Sequence, residues 1–192
     1  MRNGPPITTE RGAFALDEGS ALRLAVIADT HSRPHPRSVE LVAALSPHHI
    51  LHCGDIGVLS VLDDFAKIAP VTAVRGNIDV RAPEVPDVRV LDVTHAGHVI
   101  LRILLTHIAV NGPRLRADAA RLAAREDAHI VACGHSHVPF AGRDRQFTVF
   151  NPGSIGPRRF HLPIVFGVID VRADGVSLKH VSCETGEEWR PS

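Results

Sequence analysis

Short apolar runs alternate with amphipathic segments along the first half of the chain. The runs at residues 22–28, 49–53 and 71–74 have the length and composition of buried strands. Between them, residues 36–45 and 58–68 carry apolar positions at helical spacing. Strands that alternate with short helices form right-handed crossovers and lie parallel in one sheet. The first half of the chain therefore predicts a parallel βαβ arrangement.

The second half of the chain has a different pattern. Apolar runs at 88–93 and 98–106 are separated by a short segment with Gly97, which predicts an antiparallel hairpin, and a helix is expected at 113–126. The remaining predicted strands lie at residues 129–133, 147–150, 164–171 and 176–183. About nine strands against three helices are too many for one helix-flanked sheet. We therefore expect an α/β fold in which two sheets face each other and the helices lie outside.

The length of 192 residues fits one domain with a substantial core. No repeat or linker divides the chain, so a single domain is expected over residues 22–184. Residues 1–21 lack an apolar signal core and contain Pro5 and Pro6, which predicts a loosely ordered N-terminal extension. Residues 185–192 are polar and are expected to fray as a C-terminal tail.

Composition restricts the classes of partner. The formal net charge is zero with histidine neutral, so we expect no strong attraction to nucleic acid. No apolar run approaches the length of a membrane span, and no membrane association is expected. The three cysteines are widely spaced and favour buried, reduced thiols in a cytoplasmic protein. A homo-oligomer is compatible with these features.

Residues of the types that serve as metal ligands in proteins follow five of the predicted strands closely. They are Asp29 and His31, Asp55, Asn77, His107, and His135 with His137. Because the carboxyl ends of strands in an α/β sheet share one rim, these side chains can converge. Two carboxylates, one carboxamide and four imidazoles suit Mn, Fe or Zn, and they are too many for one tetrahedral ion. A single histidine is more often a packed residue, but the coincidence at five strand ends predicts a two-metal hydrolytic centre.

Other residues near these positions either support the site or have no role in it. Asp79 either orients a ligand histidine or caps its own loop, and His52 is expected to pack beside the site. Arg75, Arg158 and Arg159 are candidate phosphate contacts, although an exposed arginine without a role is the default for each. The segment 151–154 has turn chemistry and is expected to shape the site, whereas His180 is expected at the surface.

The complete motif series resembles the calcineurin-like metallophosphoesterase family, and in particular its small prokaryotic phosphodiesterase branch with a Vps29-like fold. The residues that carry the resemblance are Asp29-x-His31, Gly54-Asp55, Gly76-Asn77, His107, Gly134-His135-x-His137 and the trailing Asn151-Pro152-Gly153-Ser154. The resemblance spans about residues 24–171. It implies a four-layer α/β/β/α sandwich of two mixed β-sheets flanked by helices.

The resemblance also implies a distribution of ligands between two divalent ions, with Mn²⁺ favoured and Fe, Zn, Ni or Mg possible. One ion would take Asp29, His31, Asp55 and His137. The other would take Asp55, Asn77, His107 and His135, so that Asp55 bridges the two. Asp55, Asn77 and Asp79 are the predicted catalytic residues.

The implied activity is hydrolysis of a small phosphoester, with a diester favoured, by a hydroxide that the two metals share. A phosphomonoesterase has the same set of ligands, and a non-catalytic scaffold could keep the same fold. Two positions depart from the family pattern. Ile78 stands where many members have a histidine that can protonate the leaving group. Ile108-Ala109 follows His107, where the small branch often has glycine and histidine.

Overall fold

The computed structural model describes residues 7–191 and contains three helices and fourteen strands within that range. The helices are α1 (Ser38–Ala44), α2 (Val61–Ala66) and α3 (Ala117–Arg125). The strands are β1 (Thr9–Leu16), β2 (Leu22–Ile27), β3 (His49–His52), β4 (Val71–Ala73), β5 (Val88–His95), β6 (His98–Thr106), β7 (Val110–Asn111), β8 (Arg114–Leu115), β9 (Ile130–Ala132), β10 (Phe140–Asp144), β11 (Phe147–Asn151), β12 (Val165–Arg172), β13 (Gly175–Ser182) and β14 (Glu188–Trp189).

Two six-stranded mixed sheets form the body of the molecule. The strand order of one sheet is β14-β13-β12-β2-β3-β4, and that of the other is β1-β5-β6-β9-β11-β10. The strands β2, β3 and β4 are parallel, as the alternating pattern predicted, while β12 joins β2 in the antiparallel sense. The hairpin between β5 and β6 is antiparallel, and β9 pairs in parallel with β6 and β11.

The alternation of side chains along the strands divides the interior into three apolar layers. On β2, Leu24 and Val26 point between the sheets, whereas Ala25 and Ile27 join the layer that contains Phe65 of α2. On β6 the same alternation places Leu104 in the layer under α3. Helices therefore cover the outer face of each sheet, and the predicted four-layer α/β/β/α sandwich is confirmed.

The third helix illustrates why these segments fold locally. Ala119, Ala120 and Ala123 of α3 are buried against the sheet, and alanine has the highest helix propensity. Asp118 in the first turn and Arg125 in the last turn complement the helix dipole. The helix begins at Ala117 and not at residue 113, because the short β7–β8 hairpin occupies the preceding residues.

The expectation of loose order at both ends of the chain is wrong for the residues described. Thr9–Leu16 forms β1 and pairs in parallel with β5 along its whole length, from Thr9 opposite Val88 to Leu16 opposite His95. In the tail, Glu188–Trp189 pairs with β13 as an edge strand. Residues 1–6 of the predicted extension and residue 192 of the predicted tail lie outside the described part of the chain. Within residues 7–191, no helix is both long and apolar enough to cross a membrane.

The layer between the sheets should dominate stability, and two valines offer a matched test. Val93 is fully buried in this layer, whereas Val99 on the neighbouring strand is 44% exposed. We expect Val93→Ala to lower the free energy of unfolding by about 2 kcal/mol, because two buried methyl groups and the space they filled are lost. Val99→Ala should change it by less than about 0.5 kcal/mol. Denaturant unfolding measures both values, and equal losses would contradict the assigned core.

Candidate metal centre

The loops after five strands meet at one edge of the sandwich. Asp29, Asp55 and Asn77 follow β2, β3 and β4 of one sheet, while His107 and His135 follow β6 and β9 of the other. Backbone hydrogen bonds join these loops. The amide of Asp29 donates to the carbonyl of Gly54 at 2.9 Å, and the amide of Gly134 donates to the carbonyl of His107 at 3.0 Å. The predicted ligands from both sheets are thus brought to a single rim.

The backbone at this rim is unusual. Five of the predicted ligand residues have positive φ angles: Asp29 (55°), His31 (46°), Asp55 (56°), His135 (69°) and His137 (59°). This left-handed conformation is uncommon for residues other than glycine, although aspartate and histidine tolerate it better than most. Such strain gathers at functional sites, where the surrounding fold enforces it. Here it occurs at residues whose side chains enter the two groups of ligand atoms described below.

A close backbone contact explains the glycine before Asn77. A Cβ atom at Gly76 would lie 2.1 Å from the Asp55 carboxylate and 2.2 Å from the Asp55 backbone nitrogen. No side chain fits into that space. Gly76 therefore lets the loop after β4 pack directly on the loop after β3, which brings Asn77 beside Asp55.

Asp29, His31 and His137 form the first of two groups of potential ligand atoms. The Nε2 atoms of His31 and His137 are 3.3 Å apart, and Nε2 of His137 lies 3.4 Å from Oδ1 of Asp29. The backbone amide of His135 donates to both carboxylate oxygens of Asp29, at 3.2 and 3.0 Å, and fixes the orientation of that carboxylate. All three side chains are buried or half-buried.

Asp55, His107 and His135 form the second group, and Asn77 joins it. The side-chain oxygen of Asn77 lies 3.0 Å from Nε2 of His107 and 2.9 Å from Nδ1 of His135. Oδ1 of Asp55 lies 3.2 Å from Nε2 of His107, and its other oxygen lies 3.7 Å from Nε2 of His31. The two oxygens of Asp55 therefore face different groups, as a bridging carboxylate would.

A hydrogen bond determines which nitrogen of His107 is free. Its Nδ1 lies 2.8 Å from the carbonyl oxygen of Cys53, which can only accept, so Nδ1 carries the proton. In the neutral ring, Nε2 then presents its lone pair toward Asp55 and Asn77. Such outer contacts orient the histidine ligands of metals in proteins.

The two carboxylates have opposite shifts in pKa. Burial raises the pKa of Asp29 to about 7 despite the attraction of His107. Burial also raises the pKa of Asp55, but the hydrogen bond and positive charge of a protonated His107 outweigh it and lower that pKa to about 2. Burial lowers the pKa of His107, but its hydrogen bond to Asp55 and the charges of the two carboxylates outweigh this and raise it, so His107 pairs with Asp55 when protonated and offers its Nε2 to a cation only when neutral.

Burial, together with the charge of Arg159, lowers the pKa of His137 to about 4 and keeps its imidazole neutral. Burial also lowers the pKa of His31 and His135, and neutral imidazoles beside buried carboxylates suit a divalent cation.

Asp79 caps its loop. One of its oxygens accepts hydrogen bonds from the amides of Ile56 (3.0 Å) and Gly76 (2.7 Å), and the other accepts one from Gly57 (2.9 Å). Of the two readings of Asp79, the structure supports loop capping, because its hydrogen bonds in the described chain go to backbone amides and not to a ligand histidine. The buried side chain therefore joins the loop that contains Asp55 to the loop that contains Asn77.

His52 packs beneath the site, as predicted. Its Nδ1 accepts a hydrogen bond from the amide of Gly54 at 3.1 Å, so its Nε2 carries the proton and donates it to the Thr30 hydroxyl at 3.1 Å. The hydroxyl of Thr30 in turn donates to the carbonyl of Ile56 at 2.8 Å. Burial lowers the pKa of His52 to about 3. With both nitrogens engaged, His52 holds loops in place and has no proton to give to a substrate.

The segment 151–154 shapes the site from the side of β11. The amide group of Asn151 donates to the carbonyl of Gly134 (2.8 Å) and to the hydroxyl of Ser136 (3.0 Å), so it holds the loop that carries His135 and His137. The hydroxyl of Ser154 donates to the carbonyl of Asp29 at 3.1 Å. The prediction that this segment supports the ligand loops agrees with these contacts.

The expectation that His180 is a surface residue is wrong. His180 is 6% exposed, and its Nε2 donates to the carbonyl of Asn151 at 2.8 Å. Its ring packs between those of Phe150 and Trp189, with centroid distances of 5.1 and 5.9 Å. The signal was present in the sequence, because His180 lies two positions after Leu178 on β13 and so shares its inward face.

One of the three candidate phosphate contacts reaches the centre. A terminal nitrogen of the Arg159 guanidinium lies 3.3 Å from Nε2 of His31. Arg75 makes a bidentate ion pair with Asp87, at 2.6 and 3.0 Å, and Arg158 pairs with Glu184 at 2.6 Å. Arg159 is therefore the arginine that is placed to meet an anion at the centre.

The geometry defines a metal-binding α/β protein with two adjoining groups of carboxylate and imidazole donors at one rim of a two-sheet sandwich. Residues 22–174 match the model of the calcineurin-like phosphoesterase superfamily domain. The chain belongs to this superfamily of metal-dependent phosphoesterases, and the family resemblance is confirmed. The chain is also 31% identical over 142 residues to a probable metallophosphoesterase of Methanocaldococcus jannaschii, which covers 71% of this chain and 69% of the relative.

Solved structures with the same fold have more distant sequences. Vacuolar protein sorting 29 of Cryptosporidium parvum superposes with a TM-score of 0.71 at 18% identity, over 88% of this chain and 94% of that one. An archaeal phosphodiesterase superposes with a TM-score of 0.64 at 18% identity, over 84% of this chain and 99% of that one. At this level of identity the likeness establishes the fold alone.

The contact between His180 and Asn151 should support the loop of His135 and His137. We expect His180→Ala to lower the free energy of unfolding by about 2 kcal/mol, because a buried carbonyl loses its donor and a ring is removed. The protein should also retain less metal after dialysis. His180→Gln keeps an N–H group and should restore part of both losses. His98→Ala changes an exposed histidine and is the control. If His180→Ala matched this control in stability and metal content, the proposed support would be wrong.

Proposed function

We propose that the chain is a phosphodiesterase that depends on two divalent metal ions. The observation that carries this proposal is the position of Asp55, whose two carboxylate oxygens face the two separate groups of ligand atoms. Asp29, His31 and His137 would hold one ion together with Asp55. Asn77, His107 and His135 would hold the other ion, again with Asp55.

The donor chemistry fits divalent ions of intermediate hardness. Imidazole nitrogens suit Mn, Fe and Zn better than Mg²⁺, which prefers oxygen ligands and an octahedral site. The Asn77 side chain can ligate only through its oxygen, and that oxygen faces both neighbouring imidazoles. We therefore infer Mn²⁺ as the favoured ion, with Fe, Zn, Ni or Mg as alternatives.

Divalent ions held by these residues would supply activated water at neutral pH and positive charge for the phosphoryl oxygens. The protein's own part is to hold the substrate and the ligands. Arg159 lies at the edge of the first group, where its guanidinium can form two parallel hydrogen bonds to a phosphate. Asp79 and His52 hold the loops of Asp55 and Asn77, so that the ligands need little rearrangement.

Two other functions share this architecture. A phosphomonoesterase has the same ligands and differs only in its preferred substrate. A scaffold could keep the fold without chemistry, and a vacuolar protein sorting protein is among the structural neighbours. All seven predicted ligand side chains are present and converge in this chain, which favours an enzyme over a scaffold.

Removal of metal is the first test of the function. A chelator should abolish hydrolysis of bis(p-nitrophenyl) phosphate, and Mn²⁺ should restore it at least as well as Mg²⁺. Asp55→Ala should lower kcat by at least about 10³-fold, because one substitution removes a ligand from both ions. Asp174→Ala, in the exposed hairpin turn after β12, should have no effect. Turnover that resists the chelator, or a fully active Asp55→Ala protein, would refute the proposed mechanism.

The position after Asn77 bears on protonation of the leaving group. Ile78 is 42% exposed at the rim, and its backbone amide donates to Oδ1 of Asp55 at 3.2 Å. Its side chain has no proton to donate. His52 lies beneath the site with both nitrogens engaged. The departing oxygen therefore has to leave as an anion or take its proton from water, which is easiest for acidic alcohols.

A series of aryl phosphodiesters with different leaving-group pKa values tests this dependence. We expect kcat to fall steeply as the leaving-group pKa rises in the wild-type protein. Ile78→His should flatten the slope, because a general acid contributes 10²–10⁴-fold, mostly for poor leaving groups. Ile78→Gln has a similar size without an acid and should keep the steep slope. A shallow slope in the wild-type protein would mean that another group, such as the exposed His161, already acts as the acid.

A further inference from the structure

A groove of about 850 Å³ begins at the second ligand group and extends away from it along α3. Asn77 and His107 form its inner end. Farther out, the groove is bounded by Ile108, by Leu122 and Arg121 of α3, and by strand β1. It is therefore continuous with the proposed reaction centre and large enough for a group attached to the reacting phosphate.

A second cavity, of about 860 Å³, lies beside the groove and shares part of its lining. It starts at His135 and is bounded by the β7–β8 hairpin and the start of α3. Ile108, Asp118 and Arg121 line both cavities. The exposed side chain of Arg121 therefore stands where the two cavities meet beside the second ligand group.

The charges along the groove are mostly neutralised within the protein. Arg75 pairs with Asp87 at 2.6 Å, Asp118 with Arg116 at 3.2 Å, and Arg125 with Glu126 at 3.0 Å. Arg121 differs, because it has no ion-pair or hydrogen-bond partner among residues 7–191. Among the arginines that line the groove, Arg121 is thus the one that no carboxylate of residues 7–191 neutralises, in a chain whose formal net charge is zero.

Apart from Thr9 and Thr106, the remaining side chains of the wall are apolar. Val88 and Ala119 are buried at the groove, Leu122 is half-buried and Ile108 is 37% exposed. Such walls favour a carbon-rich body over a small hydrophilic alcohol. The ligand that fits these features combines an apolar body with an anionic group some distance from the reacting phosphate.

On the basis of the proposed phosphodiesterase function, we propose that this groove binds one ester group of the substrate and that this group carries a second phosphate. Arg121 contacts the second phosphate, and Ile108 and Leu122 contact the body between the two phosphates. The substrate class is thus a nucleotide-like phosphodiester with a terminal phosphate. Arg121 is a residue that determines specificity and takes no part in the chemical step.

A matched pair of dinucleotides tests the proposal. Thymidylyl-thymidine (TpT) and its 5′-phosphorylated form (pTpT) have the same internal diester and differ by one terminal phosphate. With Mn²⁺ present, we expect the wild-type protein to hydrolyse pTpT with a kcat/KM about tenfold higher, as one charge-assisted hydrogen bond supplies. In Arg121→Gln this preference should fall to within about twofold. Glutamine keeps the helix propensity of arginine, so α3 should remain folded.

Arg172→Gln is the matched control. Arg172 is exposed at the end of β12, where its neighbour Val171 pairs with Leu22 at the start of β2. Arg172 therefore lies near the start of β2, at the opposite end of that strand from Asp29, and this variant should keep the full preference for pTpT. Loss of the preference in Arg172→Gln as well would point to a general charge effect and overturn the role of Arg121.

Hydrolysis of bis(p-nitrophenyl) phosphate distinguishes failure of the proposed phosphodiesterase function from failure of the inference about the groove. If the wild-type protein hydrolyses neither this diester nor the dinucleotides, the proposed function itself fails. If it hydrolyses the nitrophenyl diester but handles TpT and pTpT equally, or neither of them, the function stands and the inference about the groove is wrong. An undiminished preference for pTpT in Arg121→Gln would also overturn the inference.

Discussion

The burial of two carboxylates beside four imidazoles is the constraint on which the rest of this structure depends. Asp29 is fully buried and Asp55 is 3% exposed, although removing a charge from water is costly without compensation. His107 compensates Asp55, and its pKa falls accordingly. Asp29 receives less compensation, since burial raises its pKa to about 7. The protein alone leaves negative charge only partly balanced, and a bound cation is the simplest complement to that imbalance.

The scaffold holds this arrangement against its own strain. Each left-handed residue that is not glycine costs of the order of 1 kcal/mol, and such residues persist only when their surroundings over-determine them. Here the surroundings are hydrogen bonds between loops, with Asp79 and Asn151 at their centre. Because each ligand group takes side chains from loops of both sheets, the packing of the apolar layer between the sheets holds the members of each group together.

The fold and the ligands could be predicted where local pattern and position coincide. Strands β2 and β6 have apolar residues at successive or alternate positions, and ligand residues follow their ends closely. Strand β1 could not be recognised in this way, because most of its side chains are exposed and its pairing with β5 is made by the backbone. The role of Arg159 was equally hidden. Sequence could not separate it from Arg75 and Arg158, whose partners lie 12 and 26 positions away along the chain.

The ligand set by itself does not determine the substrate, because one fold can support many functions and specificity depends on the residues around the reacting atoms. In this chain two rim positions next to the ligands are exposed isoleucines, Ile78 and Ile108, and neither can donate a proton. Ile108 makes the rim more apolar where the groove runs along α3. Arg159 lies against His31 of the first ligand group, whereas Arg121 lines the groove that begins at Asn77 and His107 of the second. Under the proposed function the ligand set treats every reacting phosphate alike, so the inferred groove would discriminate between phosphoesters by the separation of anionic groups within the substrate.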